Sequence, residues 1–457
     1  MVGTNRRDCL KTIAPMVVGS LAGCLKSIED LSGNTPAIHA AESSLVDERV
    51  DISVTGVSSA TSVWVEAETK DGAGQRWFSR GLFEPTADQI DLQSTKPVQG
   101  MYDRPDGMGL FWSLQPADLG TRSYDANQQA QSVHLRIRPE NLDAAPLTEA
   151  TVTRRIAHSN SKETEIEKPI VGTLVESPTD GPSPGVILFH GSGGNRPIAP
   201  ARALASHGFT VLALQYFSKE YDRLPDNLVE VPIEYADRAV RWLADHQVTT
   251  DDPICLGGFS RGGELALLIG TRHENIGAVV NWVGAGILFN AVVLTEDSTV
   301  SPETPDTSAW TLDGEPLAHP SGEDFNPRTD LLNAYRTLLE EETTKGTLDS
   351  AEIPLAEIEA PILLISAGGD GVWPSRYLLG RTERRLEALH YNYRFEHHSY
   401  DEAGHGISVP YLPTWPNRPG GPFGGTIAGT AAAEADSWPR VIKFFNVGTN
   451  KSDLQTT

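Results

Sequence analysis

The chain has 457 residues, with 61 acidic against 37 basic side chains and a formal net charge of −24 at pH 7. This length allows two or three domains with a large core. A chain so acidic repels DNA, RNA and anionic lipid, which argues against a nucleic-acid-binding protein. Acidic residues are spread along the sequence and arginine is far commoner than lysine. This pattern is typical either of a surface solvated at high salt or of an ordinary acidic soluble protein.

The first 24 residues resemble an export signal. Residues 5–11, with two adjacent arginines, precede a weakly apolar run over residues 12–21 that is too short to span a bilayer. Residues 21–24 (LAGC) resemble a lipobox, so we expect cleavage before Cys24, lipidation of its thiol and an extracytoplasmic membrane anchor. Release after simple cleavage, or a cytoplasmic protein whose basic N terminus is no signal, are the alternatives. Residues 25–45 are predicted to form a flexible tether.

Cysteine usage fits this interpretation. Cys9 and Cys24 lie in the predicted signal, which leaves Cys255 as the only cysteine of the folded body. The body therefore contains no intrachain disulfide and must be stabilised by its core. Cys255 lies in a short apolar run and is interpreted as a core residue rather than a second nucleophile.

Residues 46–160 are predicted to form a small β-sandwich that acts as an accessory domain. Apolar and polar residues alternate with a period of two, separated by turns, without a helical period. The alternating segments are residues 50–54, 62–67 and 133–138. The region contains no cluster of nucleophile, base and acid. Four aromatic residues are interpreted as core, with a carbohydrate or lipid surface as the alternative. They are Trp64, Trp77, Phe78 and Trp112.

Residues 161–448 are predicted to form an α/β domain with a mostly parallel sheet, in which strands and helices alternate after a charged hinge at residues 162–168. The predicted strands are 186–189, 210–214, 254–256, 277–283, 361–366 and 393–396, and the predicted helices are 199–207, 233–246, 264–269 and 437–445. A polar insertion at residues 294–350, with one helix near residues 329–342, is either a lid or a passive surface excursion. Residues 449–457 are a polar tail.

Within the α/β domain, residues 253–270 place a serine in a sharp turn between a strand and a helix. Ser260 is flanked by Gly258 and Gly262 in a Gly-x-Ser-x-Gly pattern, and this strand–turn–helix context favours a catalytic over an accidental match. The turn strains the serine backbone, so the two glycine positions cannot carry Cβ atoms. It exposes the Ser260 hydroxyl and aims the Arg261 backbone N–H at a developing oxyanion.

A serine nucleophile needs a base, and the base needs a partner that fixes its tautomer. In the α/β-hydrolase arrangement the acid and then the histidine follow the serine, each in a loop after a strand. Asp370 lies in a glycine loop after the strand at 361–366, and His405 lies between two glycines after the strand at 393–396. We therefore assign Ser260 as nucleophile, His405 as general base and then acid, and Asp370 as the orienting carboxylate.

Four neighbouring side chains are interpreted as surface or structural groups. Asp401 and Glu402 lie too near His405 in sequence and are expected to face solvent. His397 and His398 lie at a strand end, where we expect a structural role.

The loop after the strand at 186–189 is predicted to complete the oxyanion hole. His190 is interpreted as scaffolding for this loop, and the backbone N–H of Ser192, or alternatively of Gly193, as the second oxyanion donor. The sequence shows neither a His/Cys/Asp cluster with metal-ligand spacing nor a phosphate-binding loop that opens a helix, so no metal or cofactor is predicted.

With these residues assigned, the chain resembles the acyl-CoA thioester hydrolase and bile acid-CoA:amino acid N-acyltransferase family. The stretches that carry the resemblance run in order along nearly the whole body. They are residues 77–83, 107–114, 208–216, 257–264, 373–375, 404–407, 410–411 and 431–438. The resemblance implies an immunoglobulin-like front domain, an α/β-hydrolase domain and the catalytic triad already assigned. His190 and Arg261 depart from what the family's animal enzymes lead us to expect, and residues 455–457 are no peroxisomal address.

The leading hypothesis is a serine hydrolase that cleaves acyl thioesters or related carboxylic esters through an acyl-enzyme. The resemblance implies that family members which transfer acyl groups to amino acids use cysteine and the thioesterases use serine, so Ser260 favours hydrolysis over transfer to an amine. A third hypothesis is a tethered binding lipoprotein with an inert hydrolase domain, against which the complete triad argues. An exported enzyme would meet little intracellular acyl-CoA, and its substrate would then be another ester or thioester.

Overall fold

The computed structural model describes residues 35–121, 123–295, 299–301, 303–320 and 330–449. The predicted export signal with Cys24, residues 25–34 of the predicted tether and residues 450–457 of the predicted tail lie outside these ranges. Two domains follow one another along the described chain. A front domain of mainly antiparallel strands precedes an α/β domain.

The front domain is built from two sheets around one core. Within the described residues its elements are β1 Ala37–His39, β2 Ser43–Leu45, β3 Ser53–Thr55, β4 Val63–Lys70, β5 Arg76–Phe83, β6 Gln89–Asp91, β7 Gln99–Gly100, α1 Gly109–Trp112, β8 Gln115–Pro116, β9 Ala130–Pro139 and β10 Thr148–Arg155. One sheet has the order β1-β3-β6, and the other has the order β2-β10-β9-β4-β5-β7, with β8 also paired to β5. The alternating burial along β9 shows why the period of two predicted strands here.

Side chains from both sheets meet in a single apolar cluster. Val54 of the small sheet and Val65 and Leu135 of the large sheet belong to it. Trp77 and Trp112 are also buried in this cluster, and Trp64 is buried outside it. Phe78 is only half-buried, so the core interpretation holds for three of the four aromatic residues. The domain is therefore a two-sheet sandwich, while the immunoglobulin-like likeness stays a prediction.

Two polar segments differ from their predicted roles. Strands β1 and β2 lie within residues 25–45, the predicted tether, and pair with β3 and β10. The predicted hinge at 162–168 contains a further strand, Glu163–Ile166, at the edge of the second domain's sheet. Edge strands satisfy their backbone groups through one neighbour and need no apolar alternation, so their sequences read as linkers.

The α/β domain contains one eight-stranded sheet with helices packed around it. Its elements are β11 Glu163–Ile166, β12 Val171–Val175, β13 Gly185–Phe189, α2 Ile198–Ser206, β14 Thr210–Gln215, β15 Val231–Pro232, α3 Glu234–Ala244, β16 Ile254–Phe259, α4 Arg261–Gly270, β17 Ile276–Trp282, β18 Trp310–Leu312, β19 Glu315–Pro316, α5 Leu331–Lys345, β20 Ile362–Ala367, α6 Ser375–Ala388, β21 Phe395–Tyr400 and α7 Ile427–Gly448.

The strand order identifies the architecture. The large sheet runs β11-β12-β14-β13-β16-β17-β20-β21. Strand β12 is antiparallel to both neighbours, and the strands from β14 to β21 pair in parallel. The interior strands are buried on both faces, which explains their continuous apolar sequences. This order, with the third and fourth strands exchanged, is that of the α/β-hydrolase fold, so the predicted fold class is confirmed.

The insertion packs against the domain over its described parts. Strand β18 pairs with β15 and β19 in a small separate sheet, and α5 covers the segment where one helix was predicted. Tyr335 and Leu339 of α5 join Phe289 and Trp373 in a buried cluster. Residues 296–298, 302 and 321–329 lie outside the ranges given above. Whether the insertion is a lid or a passive surface excursion stays a prediction.

Helix α7 joins the two domains and is much longer than predicted. Its first half is rich in alanine and carries little apolar periodicity, so only the end near residues 437–445 was recognisable. Ala431 of this helix, together with Tyr411 and Trp415, packs into the front-domain cluster. Within the described ranges, no helix combines the length and the apolarity that crossing a bilayer requires.

Candidate active site

Ser260 lies in a strained turn between β16 and α4. Its φ of 53° and ψ of −120° are rarely adopted by a residue with a side chain. A Cβ atom on Gly258 would lie 1.9 Å from the carbonyl oxygen of Gly262, and one on Gly262 would lie 2.5 Å from the carbonyl oxygens of Phe189 and His190. Both positions therefore require glycine, as the pattern predicts.

The turn is fixed from both sides. The Ser260 N–H donates to the carbonyl of Trp282 on the neighbouring strand at 2.8 Å, and the Ser260 carbonyl accepts from Gly263 N–H at 2.8 Å. Ser260 is 9 % exposed, and Arg261 begins the helix. The Arg261 backbone N–H therefore lies at a helix N terminus, where the helix dipole favours negative charge.

Asp370 and His405 are in direct contact. His405 Nδ1 lies 2.9 Å from Asp370 Oδ2, and both side chains are largely buried. The other carboxylate oxygen accepts from the backbone N–H groups of Val372 at 2.9 Å and Trp373 at 3.2 Å. An ionised carboxylate only accepts hydrogen bonds, so His405 donates its Nδ1–H to Oδ2, which leaves Nε2 as a proton acceptor.

The sheet register brings the serine turn and this pair to the same edge. Phe259 lies opposite Trp282, which lies opposite Ile365, which lies opposite His398. The loops that carry Ser260, Asp370 and His405 all follow the carboxyl ends of these parallel strands. Among the hydrogen bonds of the described residues, none joins Ser260 Oγ to His405. Such bonds are often long without substrate and tighten in the Michaelis complex.

The rival side chains lie in other environments. Asp401 is exposed and pairs with Arg376, and Glu402 is also exposed. His397 bridges Glu383 and Ser366, at 2.8 Å to each, and His398 contacts Glu396 at 2.8 Å. Both histidines therefore have structural partners away from the serine turn.

His190 supports the loop that was predicted to supply the second oxyanion donor. It is 1 % exposed, and burial lowers its pKa to about 4, so its ring is neutral at pH 7. Its Nδ1 donates to the Gly191 carbonyl at 2.8 Å, and Gln215 lies 3.2 Å from its Nε2. The ring stacks on Tyr216 at 4.0 Å. These partners leave His190 no free nitrogen for catalysis.

The same loop passes close to the nucleophile. A Cβ atom on Gly191 would lie 3.2 Å from Ser260 Cβ. Ser192 and Gly193 follow it and are partly or fully exposed, so their N–H groups stay the predicted second oxyanion donors. Across the described residues, no group of His, Cys, Asp and Glu side chains could hold a metal ion.

Two features of the site were not predicted from the sequence. One is a buried pair of opposite charges, Arg261 and Glu264, in the first turn of α4. A charged pair three residues apart in an otherwise apolar helix was the signal available for it. The other is the Gly- and Pro-rich segment at residues 411–426, in which Asn417 accepts from Gly406 N–H at 2.9 Å and Phe423 accepts from His405 N–H at 2.8 Å. No periodicity marks such a loop in advance.

Two models of one protein family match the chain. The family model described as BAAT / acyl-CoA thioester hydrolase C terminal matches residues 231–451, and that described as acyl-CoA thioester hydrolase/BAAT N-terminal region matches residues 47–168. The chain belongs to the acyl-CoA thioester hydrolase and bile acid-CoA:amino acid N-acyltransferase family.

Relatives in this family align along most of the chain. Acyl-coenzyme A thioesterase 1 of Rattus norvegicus is 27% identical over 428 residues, which are 90% of this chain and 96% of the relative. Acyl-coenzyme A amino acid N-acyltransferase 1 of Mus musculus is 29% identical over 416 residues, 88% of this chain and 94% of the relative. The chain is therefore an enzyme of a family that contains hydrolases and acyltransferases.

Solved structures of hydrolases and esterases match part of the chain. Esterase B from Lactobacillus rhamnosis is 15% identical, with a TM-score of 0.37, and the match covers 65% of this chain and 89% of the esterase. The strand order given above, rather than this overall similarity, defines the fold.

Proposed function

We propose that this family member is a serine hydrolase that cleaves acyl thioesters, or related carboxylic esters, through an acyl-enzyme on Ser260. One observation carries the proposal. The strained serine turn and the Asp370–His405 pair follow neighbouring strands at one edge of the sheet. Their order along the chain is that of α/β-hydrolase triads.

In the proposed first half-reaction, Ser260 Oγ attacks the acyl carbonyl carbon while His405 Nε2 takes the hydroxyl proton. Asp370 stabilises the imidazolium that forms. The oxyanion of the tetrahedral intermediate accepts hydrogen bonds from the backbone N–H groups of Arg261 and of Ser192 or Gly193. The intermediate collapses, the C–S or C–O bond breaks, and the leaving thiolate or alkoxide takes the proton from His405.

The second half-reaction decides between hydrolysis and transfer. Water attacks the carbonyl carbon of the Ser260 ester while His405 takes a proton from the water. The bond between that carbon and Ser260 Oγ then breaks, His405 returns the proton to Oγ, and the carboxylic acid leaves. An amino acid amine that replaced water would give an amide, as the names of the N-acyltransferase relatives suggest for those proteins. This second candidate is tested by looking for the N-acyl amino acid when glycine or taurine is present.

Replacement of the nucleophile tests the proposal. We expect Ser260→Ala to abolish turnover of short acyl thioesters and p-nitrophenyl esters, and to abolish labelling by a fluorophosphonate probe. Ser350→Ala, which removes an exposed hydroxyl bonded only to the Thr347 carbonyl, is the control. A wild-type enzyme that neither turns over the panel nor takes the probe would show the hydrolase domain to be inert.

We further propose export and lipid anchoring through Cys24. The support is the twin-arginine segment and the LAGC sequence at residues 21–24. Expression in the native host should give a membrane-bound protein whose mass includes a diacylglycerol group. Cys24→Ala should release it, and an unmodified cytoplasmic chain that begins at residue 1 would contradict the proposal.

A further inference from the structure

A buried pair of opposite charges lies directly behind the nucleophile, and the proposed reaction does not use it. Arg261 follows Ser260 in the chain, and its Nε lies 2.6 Å from Glu264 Oε1. The side chains are 2 % and 0 % exposed, respectively. Burying two charges costs free energy that their attraction recovers only when the geometry is good. A pair in this position therefore needs an explanation beyond stability.

The remaining polar atoms of the pair contact two carbonyls just before the insertion at residues 294–350 and one side chain within it. Arg261 Nη1 donates to the Asn290 carbonyl at 3.0 Å, and Nη2 donates to the Phe289 carbonyl at 3.1 Å. Glu264 Oε2 accepts from Trp310 Nε1 at 3.0 Å. Nη1 and Nη2 thus donate to backbone carbonyls, while Nε contacts Glu264 as an ion pair without a hydrogen bond. The flat fork fixes helix α4 against the chain around residues 289–310.

The contacts continue from the pair to the oxyanion loop. The Trp310 ring, bonded to Glu264, lies 5.7 Å from the Tyr216 ring. Tyr216 in turn stacks on His190, and its hydroxyl donates to the His190 carbonyl. His190 immediately precedes the loop of Ser192 and Gly193, so the pair and the second oxyanion donor are joined through packed aromatic rings.

A second path leads to the base. The guanidinium of Arg261 lies 5.7 Å from the centre of the Phe289 ring. The Phe289 ring lies 5.4 Å from that of Trp373, which lies 6.4 Å from the ring of His405. The Trp373 backbone N–H also donates to Asp370 Oδ1. One buried charge pair therefore lies between the nucleophile turn, the oxyanion loop and the acid–base pair.

We propose that Arg261 and Glu264 are positioning residues, which fix the Ser260 turn against the oxyanion loop and the insertion so that the Arg261 and Ser192 N–H groups converge on one point. The segment just before the insertion, at residues 289–290, and Trp310 within it are then fixed supports and not moving parts. This inference depends on the proposed function, since it assigns a role to the site that performs it.

The test compares kcat among variants, divided by the number of active sites that react with a fluorophosphonate probe (competent sites). Arg261→Lys keeps the charge but loses the planar fork, and Glu264→Gln keeps an acceptor for Trp310 but loses the ion pair. We expect kcat for a p-nitrophenyl ester to fall about a hundredfold in each, because a displacement of about 1 Å costs that much, while KM changes little. Intact-mass counting of fluorophosphonate-labelled protein gives the number of competent sites, which removes the effect of misfolded molecules.

Arg202→Lys is the matched control. Arg202 is also buried, bonds Glu163 through two nitrogens at 2.7 and 2.9 Å, and donates to the Asn127 carbonyl at 2.6 Å. It lies in α2 and contacts none of the catalytic loops. We expect its variant to lower the melting temperature and to leave kcat per labelled site at the wild-type value.

A double variant separates positioning from stability. Arg261→Met combined with Glu264→Leu removes both buried charges, so its melting temperature should recover relative to Arg261→Met alone, while kcat per labelled site stays low. Recovery of kcat together with stability, or wild-type kcat per labelled site in Arg261→Lys and Glu264→Gln, would overturn the inference. Wild-type protein that the probe does not label would instead refute the proposed function itself.

Discussion

At the scale of single residues, the orientation of the His405 ring depends on one oxygen of Asp370, because the other oxygen is occupied by two backbone N–H groups. Asp370→Asn keeps the size of the side chain but can present an N–H to Nδ1, which favours the wrong tautomer. We expect kcat to fall by about 10⁴-fold with little change in melting temperature. The measurement is ester hydrolysis at pH 7. Asp401→Asn, at the exposed rival carboxylate, should leave kcat unchanged, and an equal loss in both variants would contradict the assignment.

A second residue-scale prediction concerns Glu434, a buried carboxyl without a positive partner. Its Oε1 accepts from Ser408 N–H at 3.3 Å, and its Oε2 is buried with no hydrogen-bond partner among the described residues. Burial raises its pKa well above the usual value. The carboxyl is therefore protonated in the fold at pH values where the unfolded chain has lost the proton, and stability falls as pH rises from about 5 towards the folded pKa.

Glu434→Gln should remove this loss, because an amide does not ionise. In urea unfolding from pH 5 to pH 8, the free energy of unfolding should decrease less in the variant, by up to about 1.4 kcal/mol per pH unit within the titration range. Glu402→Gln, at an exposed carboxyl, should follow the wild-type curve. Parallel curves for wild type and Glu434→Gln would show that Glu434 is ionised in the fold.

Among single residues, those that could be predicted from the sequence are the catalytic residues with glycines near them. Ser260, Asp370 and His405 each have glycines one or two residues away that let a loop turn sharply after a strand. This spacing can be read directly from the sequence. The partners of Arg261 and Glu264 were not predictable. Trp310 lies 46 residues from Glu264, and only the packing of the insertion brings them together.

At the scale of elements, the serine turn depends on close contact between α4 and the oxyanion loop. Gly262→Ala would place a methyl group 2.5 Å from two carbonyl oxygens, so the turn must move. We expect loss of most esterase activity and a destabilisation of about 1–3 kcal/mol, measured by urea unfolding. Gly380→Ala in α6 is the control, because its nearest neighbour is the end of the Arg384 side chain at 3.5 Å. It should keep full activity and gain about 0.5–1 kcal/mol. An active, stable Gly262→Ala enzyme would contradict the role of the turn.

The strands of the α/β domain that could be predicted from the sequence are those buried on both faces. Strands β13, β14, β16, β17 and β20 are buried on both faces and read as unbroken apolar runs. The edge strands β2 and β11 carry mostly polar sequences, because solvent reaches them, and β1 has only three residues, too few to show a period of two. The start of α7 was missed for a related reason, since its alanines pack closely without the large apolar residues that reveal a helical period.

At the scale of the whole molecule, a buried carboxylate joins the front domain to the α/β domain. The Asp47 side chain is 2 % exposed and accepts from Trp438 Nε1 of α7 at 2.8 Å. It also lies 2.6 Å from His207 Nε2, at the end of α2. The hydrogen bond to Asp47 raises the pKa of His207. The charged form of His207 is thus favoured by folding, and the contact between the domains contributes most at low pH.

The sign of the pH effect follows from this shift. A raised folded pKa means that the stabilising contribution of His207 is complete below its unfolded pKa of about 6.5 and is lost as pH rises through the folded pKa. His207→Gln should therefore lower the melting temperature at pH 6 by a few degrees, about 2–4 °C for each kcal/mol in a chain of this size. At pH 9 the difference from wild type should be smaller, because neither protein then has a charged partner for Asp47.

The matched control and the reaction itself decide whether this contact couples the domains. His39→Gln removes a histidine that contacts only the Thr55 hydroxyl within the front domain, and it should leave the pH dependence of melting unchanged. Helix α7 packs on the segment at 411–426 that supports His405. A rise in pH through the folded pKa of His207 weakens the contact at Asp47, and we expect this to reduce kcat as well. An Asp47→Asn enzyme with wild-type kcat and melting temperature at both pH values would show that the front domain contributes nothing to the site through this contact.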